Sequence, residues 1–236
     1  MTKHANRYLL KLSGEVLKGD QPQGISPEVC QKLSVSIKSL VDEGYHLGLV
    51  IGGGNFFRGG EQTGMDRSPA DQIGMLATIM NGIALKHYFE AAGCPTRVLS
   101  GLDCPKAVDS FTWRKAMGHL DEGRVVIFVG GTGNPYFTTD TAAALRACEI
   151  GATKLLKATK VDGVYSKDPV KYPDAVRYDK ITYDQVLEED LQVMDGSAFA
   201  LCRSNQVPIL VFHMDLLLAG IPVQMKKLEE QGSLVE

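Results

Sequence analysis

Apolar and polar residues follow one another along the chain in two regimes. Short, nearly unbroken apolar runs at Tyr8–Ser13, His46–Ile51, Thr96–Ser100, Arg124–Val129, Lys154–Thr159 and Ile209–Phe212 read as strands. They do not alternate apolar with polar, which suits strands covered on both faces. Between them lie helices with legible ends. Ser26-Pro27 supplies an N-cap and a first helical residue for one that stops at Gly44. Ser68-Pro69-Ala70-Asp71 opens a second that stops at Gly93, with Ile73, Leu76, Met80, Ile83 and Ala84 on one face. In that frame Asp71 holds the third helical position behind a Ser68 cap, the place of a capping-box carboxylate. A third helix covers Thr138–Ile150 and closes at Gly151. The alternation predicts an α/β fold, a mostly parallel sheet with helices on both faces. One domain is expected, in two lobes that divide near residues 135–150.

Composition changes this picture in one respect. The 236 residues carry a net charge of −3 and a pI near 6.0, with 44% hydrophobic residues, so there is no basic footprint for nucleic acid and no sign of disorder. No apolar run approaches the roughly 18 residues of a membrane span, and the N-terminal run is too short and interrupted for a signal segment. Cys30, Cys94, Cys104, Cys148 and Cys202 are odd in number and widely spaced, the pattern of buried reduced thiols in a cytoplasmic protein. The histidines at 4, 46, 87, 119 and 213 form no metal spacing, so no metal site built from protein ligands alone is expected. Glycine is the exception: 25 of 236 residues is about 11%, against a typical usage of roughly 7%. Such an excess without low complexity points to turns and ligand loops.

The glycines gather where strands end, which is where α/β sheets bind ligands. Lys11-Leu12-Ser13-Gly14-Glu15 offers a point charge and bare backbone donors, suited to phosphate but also common as a simple turn. Gly52-Gly53-Gly54-Asn55 is followed by Phe56-Phe57-Arg58-Gly59-Gly60, where Arg58 could fork onto phosphate oxygens. Gly130-Gly131-Thr132-Gly133-Asn134-Pro135-Tyr136-Phe137-Thr138-Thr139-Asp140 runs into a helix N-terminus and makes a natural anion cradle, with Thr138 or Thr139 also serving as cap. Lys157-Ala158-Thr159-Lys160 ends a strand, turns at Asp162-Gly163 and continues through Tyr165 to Asp168-Pro169, which fits a nucleotide with phosphate and base. There is no P-loop, no G-x-G-x-x-G and no G-x-S-x-G, so those chemistries lack support.

In this order the stretches resemble the amino acid kinase superfamily and, within it, the bacterial uridylate kinases. The resemblance rests on residues 11–15, 52–59, 74–82, 131–140 and 157–165 and spans nearly the whole chain. It implies a three-layer sandwich with a mostly parallel central sheet, and transfer of the γ-phosphoryl of ATP to UMP in pyrimidine nucleotide synthesis. It further implies an N-terminal lobe of about residues 1–137 on the UMP side and a C-terminal lobe of about 138–236 on the ATP side. Lys11, Leu12, Ser13, Gly14, Gly54 and Arg58 then match the ATP-phosphate site, and Thr159, Tyr165 and Asp168 the adenine and ribose contacts. Gly53, Asp71, Thr132, Gly133, Asn134, Pro135, Tyr136, Phe137, Thr138 and Thr139 match the UMP site, with Asp71 on the ribose hydroxyls. Asp140 resembles the aspartate that orients a phosphate-gripping lysine, so Lys11, Arg58 and Asp140 form the implied catalytic set. Mg²⁺ is expected to come with ATP, UTP to act as feedback inhibitor, and six copies to assemble through the long helices, the Ile73–Ala84 face being a candidate surface. The loop at residues 19–24 and the pair Lys86-His87 depart from relatives activated by GTP, which speaks against that activation here. A superfamily member phosphorylating a carboxylate or carbamate would not need the 133–139 signature. A nucleotide sensor without turnover is opposed by the presence of Lys11, Arg58 and Asp140.

Overall fold

The computed structural model describes residues 6–57 and 64–236, so Arg58, Gly59 and Gly60 lie outside the described residues. Leu9 and Leu10 are neighbours in sequence, both are buried, and they enter different cores. That is the consequence of an apolar strand with a helical layer on each side. Nine strands form the central sheet: β1 (Arg7–Leu12), β2 (His46–Ile51), β3 (Thr96–Ser100), β4 (Asp109–Ser110), β5 (Val125–Val129), β6 (Lys154–Thr159), β9 (Lys180–Ile181), β10 (Ile209–His213) and β11 (Ser233–Val235). Their order is β4-β3-β5-β2-β1-β6-β10-β11-β9, and every pairing is parallel except β10 with β11. Two further strands, β7 (Val164–Tyr165) and β8 (Arg177–Tyr178), make a separate antiparallel ribbon.

On one face lie α1 (Pro27–Asp42), α2 (Arg67–Ala91), α7 (Asp215–Leu218) and α8 (Met225–Gln231); on the other lie α3 (Trp113–Asp121), α4 (Thr139–Glu149), α5 (Tyr183–Glu188) and α6 (Gly196–Ser204). This is the expected three-layer arrangement. The six expected strands form within one residue of their anticipated ends, because each is apolar on both faces. The remaining strands are two or three residues long, too short to show a period. The helix starts at Ser26 and Thr138 also hold: Ser26 accepts from the Val29 amide, and Thr138 accepts from those of Asp140 and Thr141. Arg7, fully buried, donates to the Ile150 carbonyl (2.8 Å) and pairs with Asp121 (2.6 Å), fastening β1 to the end of α4.

Helix α2 departs from expectation at its start. It begins at Arg67, so Ser68 lies inside the first turn and Asp71 is not a capping-box residue. Its face of Ile73, Leu76, Met80 and Ile83 points to solvent, the side expected as a candidate surface, while Ala70, Met75, Ala77, Thr78, Ile79, Asn81, Gly82, Leu85 and Phe89 are buried. The closest approach to the sheet is at Gly82, where a Cβ would stand 2.4 Å from a methyl of Val129 on β5.

That contact gives a prediction whose sign opposes helix propensity. Gly82→Ala should destabilise the fold by about 1–3 kcal/mol through overpacking. Gly118→Ala, in α3 with nothing within 4 Å of its Cβ, should stabilise it by about 0.5–1 kcal/mol. Urea denaturation of the two variants tests both signs.

Candidate active site

The centre of the site follows from strand register. Lys11 on β1 and Lys157 on β6 are Cα partners across the parallel pair. Each lies two residues beyond a leucine, Leu9 or Leu155, that packs toward α4, so period-two alternation turns both lysines to that same face. Side by side, two ammonium groups repel. Asp140, in the first turn of α4, stands between them, with Oδ1 2.5 Å from Lys11 Nζ and Oδ2 2.7 Å from Lys157 Nζ. Lys157 also donates to the Val193 carbonyl at 2.6 Å. The three side chains are only 12%, 15% and 13% exposed for Lys11, Asp140 and Lys157. Burial alone would raise the Asp140 pKa, but Lys11 and Lys157 outweigh it and hold the carboxyl below its ordinary value. Burial draws Lys157 below the ordinary lysine value against the attraction of Asp140. Two cations and one anion leave a net positive centre at a helix N-terminus, an arrangement that favours an added anion.

Sheet order explains why this centre lies at a crevice. From β1 the chain builds outward through β2 on one side, then returns to build through β6 on the other. The loops after these strands diverge, and that switch point is where open α/β sheets bind ligands. Glycine lets the loops after β1 and β2 meet: a Cβ on Gly14 would stand 2.2 Å from the Gly52 carbonyl oxygen and 2.8 Å from the Gly54 nitrogen. The Gly52 loop is in turn held by a buried amide pair. Asn55 and Asn81 exchange hydrogen bonds of 2.8 and 2.7 Å, and Asn81 also donates to the Gly52 carbonyl at 2.8 Å. The loop after β5 is fixed at Gly130, whose amide donates to Thr78 Oγ1 at 2.7 Å. Arg146, buried beneath it, stacks 3.7 Å over Phe111 and reaches the Gly131 carbonyl.

Two cavities flank this centre. The larger, about 750 Å³, is lined by Lys157, Thr159 and Val161, by the 163–169 segment and by Glu189–Val193. It gathers the expected Thr159, Tyr165 and Asp168. The Thr159 hydroxyl closes the turn by donating to the Val161 carbonyl, the Tyr165 hydroxyl donates to Asp162, and Asp168 accepts from the Val170 amide. The smaller, about 120 Å³, is lined by Gly53, Phe57, Asp71, Met75, Thr78 and Phe137–Thr139, among others. It gathers Gly53, Asp71, Phe137, Thr138 and Thr139. Thr132, Gly133, Asn134, Pro135 and Tyr136 do not line it; they form the turn that leads into Phe137, with Gly133 donating to the Gly130 carbonyl and Thr132 bonded to Asn134. Tyr136 adopts φ 73°, and its amide donates to Asp71 at 2.7 Å. Asp71 therefore anchors this turn across the cavity. Leu12 buries its side chain in the core below, and its carbonyl accepts from the Gly52 amide. Ser13 and Gly14 turn the chain away from β1 toward the glycine loop. Lys160 pairs with Glu15 at 3.1 Å, across the opening between the first and fourth stretches.

Lys157 belongs to the fourth stretch, and only strand register brings it beside Lys11. Its signal was present, since a lysine interrupts Leu155-Leu156 and Ala158 just as Lys11 interrupts Leu9-Leu10 and Leu12. Asn81 left no such signal, because its partners Gly52 and Asn55 are distant in sequence. Among the described residues no group of His, Cys, Asp and Glu could hold a metal ion, and no helix is long and apolar enough to cross a membrane. All five cysteines are free; Cys30, Cys94 and Cys202 are buried as expected, while Cys104 and Cys148 are only partly so. Burial pushes the Cys30 and Cys94 thiols up to about 11 and Cys202 to about 12.

The model of the amino acid kinase family matches residues 6–213. The uridylate kinase of Protochlamydia amoebophila is 58% identical over 219 residues, covering 92% of this chain and 87% of that protein. The uridylate kinase of Paramagnetospirillum magneticum is 54% identical over 210 residues, 88% of each. Among solved structures, the UMP kinase of Ureaplasma parvum superposes with a TM-score of 0.91 at 36% identity over the full length of both chains. That of Bacillus anthracis gives 0.90 at 33% identity, over 98% of this chain and 96% of its own.

The lysine–aspartate–lysine cluster carries a pH signature. Asp140 has a depressed folded-state pKa, so its contribution is present above the unfolded value of about 3.9 and is lost as pH falls through the folded value. Asp140→Asn should cost about 3 kcal/mol near pH 7, with two lysines left unneutralised. The gap from the parent protein should narrow below about pH 4. Urea denaturation of both proteins across that range measures it.

Proposed function

The chain belongs to the amino acid kinase family, and from that premise we propose that it transfers the γ-phosphoryl group of ATP to UMP, yielding ADP and UDP for pyrimidine nucleotide synthesis. The observation that carries this reading is a net positive lysine–aspartate–lysine centre with a cavity on each side. The larger cavity, built from the C-terminal part of the chain, suits the adenosine of ATP, with Thr159, Tyr165 and Asp168 toward base and ribose. The smaller, built largely from residues before 138, suits UMP, with Asp71 toward the ribose. That division supports two functional lobes within one domain, meeting at about residue 137.

The chemistry needs no covalent intermediate. An oxygen of the UMP phosphate attacks Pγ, a new P–O bond forms, and the bond from Pγ to the β–γ bridging oxygen breaks as ADP leaves. The nucleophile is already anionic, so no general base is required. What the protein supplies is position and positive charge. Lys11 is assigned to the transferring phosphoryl, together with Ser13, Gly14 and Gly54 of the adjoining loops and with Arg58. Lys157, matching Lys11 across the register, is added to that set. Asp140 keeps both ammonium groups in place and stops them from repelling one another.

Mg²⁺ fits as a companion of the nucleotide. Both Asp140 oxygens are engaged by lysines, so the ion would be held by the ATP phosphates and would supply neutralisation of their charge. The exposed stripe of Ile73, Leu76, Met80 and Ile83 on α2 supports assembly into a homohexamer through these helices. UTP, sharing the uracil nucleoside of the acceptor, is assigned as a competitor at the smaller cavity, and the cytoplasm is the proposed compartment.

A coupled assay of ADP release offering UMP, CMP, aspartate and acetylglutamate tests the substrate. Turnover is expected with UMP, and turnover restricted to a carboxylate substrate would overturn the reading. Lys11→Ala and Arg58→Ala should each lower kcat by about 100-fold, the loss expected on removing one charge-stabilising donor. Near-parental turnover of either variant in steady-state kinetics would remove that residue from the catalytic set.

A further inference from the structure

Asp195, between the Val193 wall of the larger cavity and the N-terminus of α6, is used by none of the chemistry above, yet its carboxylate gathers three donors from two helices. It caps α6 by accepting from the Ala198 amide at 3.0 Å. It accepts from the Thr138 hydroxyl, and from the Thr141 hydroxyl at 3.1 and 3.2 Å. Thr138 is itself the N-cap of α4, its oxygen accepting from the amides of Asp140 and Thr141. Both of its roles are thus committed: the proton to Asp195, the lone pairs to the helix that carries Asp140. Two residues before Asp195, the Val193 carbonyl accepts from Lys157, and the negative charge of Asp195 acts on that same lysine.

These contacts join the two cavities. The segment leading to Asp195 lines the larger cavity, and Thr138 lines the smaller. We propose that Asp195 is a positioning residue that couples occupancy of the donor-nucleotide cavity to acceptor affinity, by locking the α6 N-terminus onto the Thr138 cap of α4. The inference rests on the reading of these cavities as ATP and UMP sites. A nucleotide ordering the Glu189–Val193 wall orders Asp195. Asp195 then sets Thr138 against the acceptor and Asp140 between its lysines. Coupling of this kind is a free energy shared by two sites, and it reads equally from either ligand.

The discriminating variant is Asp195→Asn. Asparagine caps helices as well as aspartate does, so one amide oxygen can keep the Ala198 bond and the fold. The amide NH₂ cannot accept the Thr138 proton, so the bond to the cap of α4 is lost, while the retained oxygen can still accept from the Thr141 hydroxyl. Calorimetry measures UMP binding with and without a non-hydrolysable ATP analogue. In the parent protein the analogue should tighten UMP binding by about 5-fold or more, the lower end of ordinary coupling. In Asp195→Asn that factor should fall below about 2-fold, with each ligand's separate affinity changed by less than about 2-fold. Thr141→Val, which removes one donor and leaves Asp195 intact, should reduce the factor part-way and decides the matter if Asp195→Asn does not fold. A parent protein without coupling, variants that keep the full factor, or variants that lose both separate affinities with the factor unchanged would each overturn the proposal. UMP turnover is measured on the same preparations. Turnover without coupling overturns this inference alone, whereas absent turnover overturns the substrate assignment and this inference with it.

Discussion

Two lysines held side by side on adjacent parallel strands make the interaction on which the site depends. Buried like charges are costly unless paired, and Asp140 answers both at once from the first turn of α4. That single carboxylate fixes where α4 starts relative to the sheet. The position is reinforced at the other end of the helix, where Arg7 grips the Ile150 carbonyl. The cap at Thr138, the crossing to Asp195 and the carbonyl of Val193 all serve the same geometry. The strain of a partly neutralised cationic centre becomes useful when a polyanionic nucleotide arrives, since an added anion completes the balance.

The second constraint is backbone proximity. Several of the glycines flagged by composition are required by the packing of the strand-end loops on one another. Gly14 rests against the carbonyl of Gly52, and a Cβ on Gly133 would stand 2.6 Å from the Gly101 carbonyl oxygen. Loops packed this closely expose few side chains, so their polar groups are fixed from behind by Asn55, Asn81, Thr78 and Arg146. The site is thus a thin sheet of main chain with its support set one layer deeper.

Much of the fold was legible because its signals are local. Double-sided apolar strands, Ser26 before Pro27, and Thr138 before α4 each depend on residues within a few positions of one another. The candidate site was legible where residues stand at or just after strand ends, as Lys11, Gly53 and Thr159 do, and at the cap of α4, Thr138. The buried face of α2 was not legible, because the helix carries large apolar residues on both sides: Ile79, Leu85 and Phe89 pack inward, while Ile73, Leu76, Met80 and Ile83 stay exposed. The role of Asp71 depends on a distant partner. As a first-turn carboxylate it resembled a cap, but its partner is the Tyr136 amide, 65 positions away.

By itself, then, the sequence determined the layer architecture and the strand-end loops where candidate ligand groups gather, because period, capping and glycine placement act between near neighbours. Tertiary structure alone decided that Lys157 stands beside Lys11, that Asp140 answers both, that Asn81 reaches the Gly52 loop, and that Asp195 spans two helices. Register and helix-to-sheet distance are properties of the packed molecule. A lysine in an apolar strand shows that a charge is buried, and only the neighbouring strand shows what it faces.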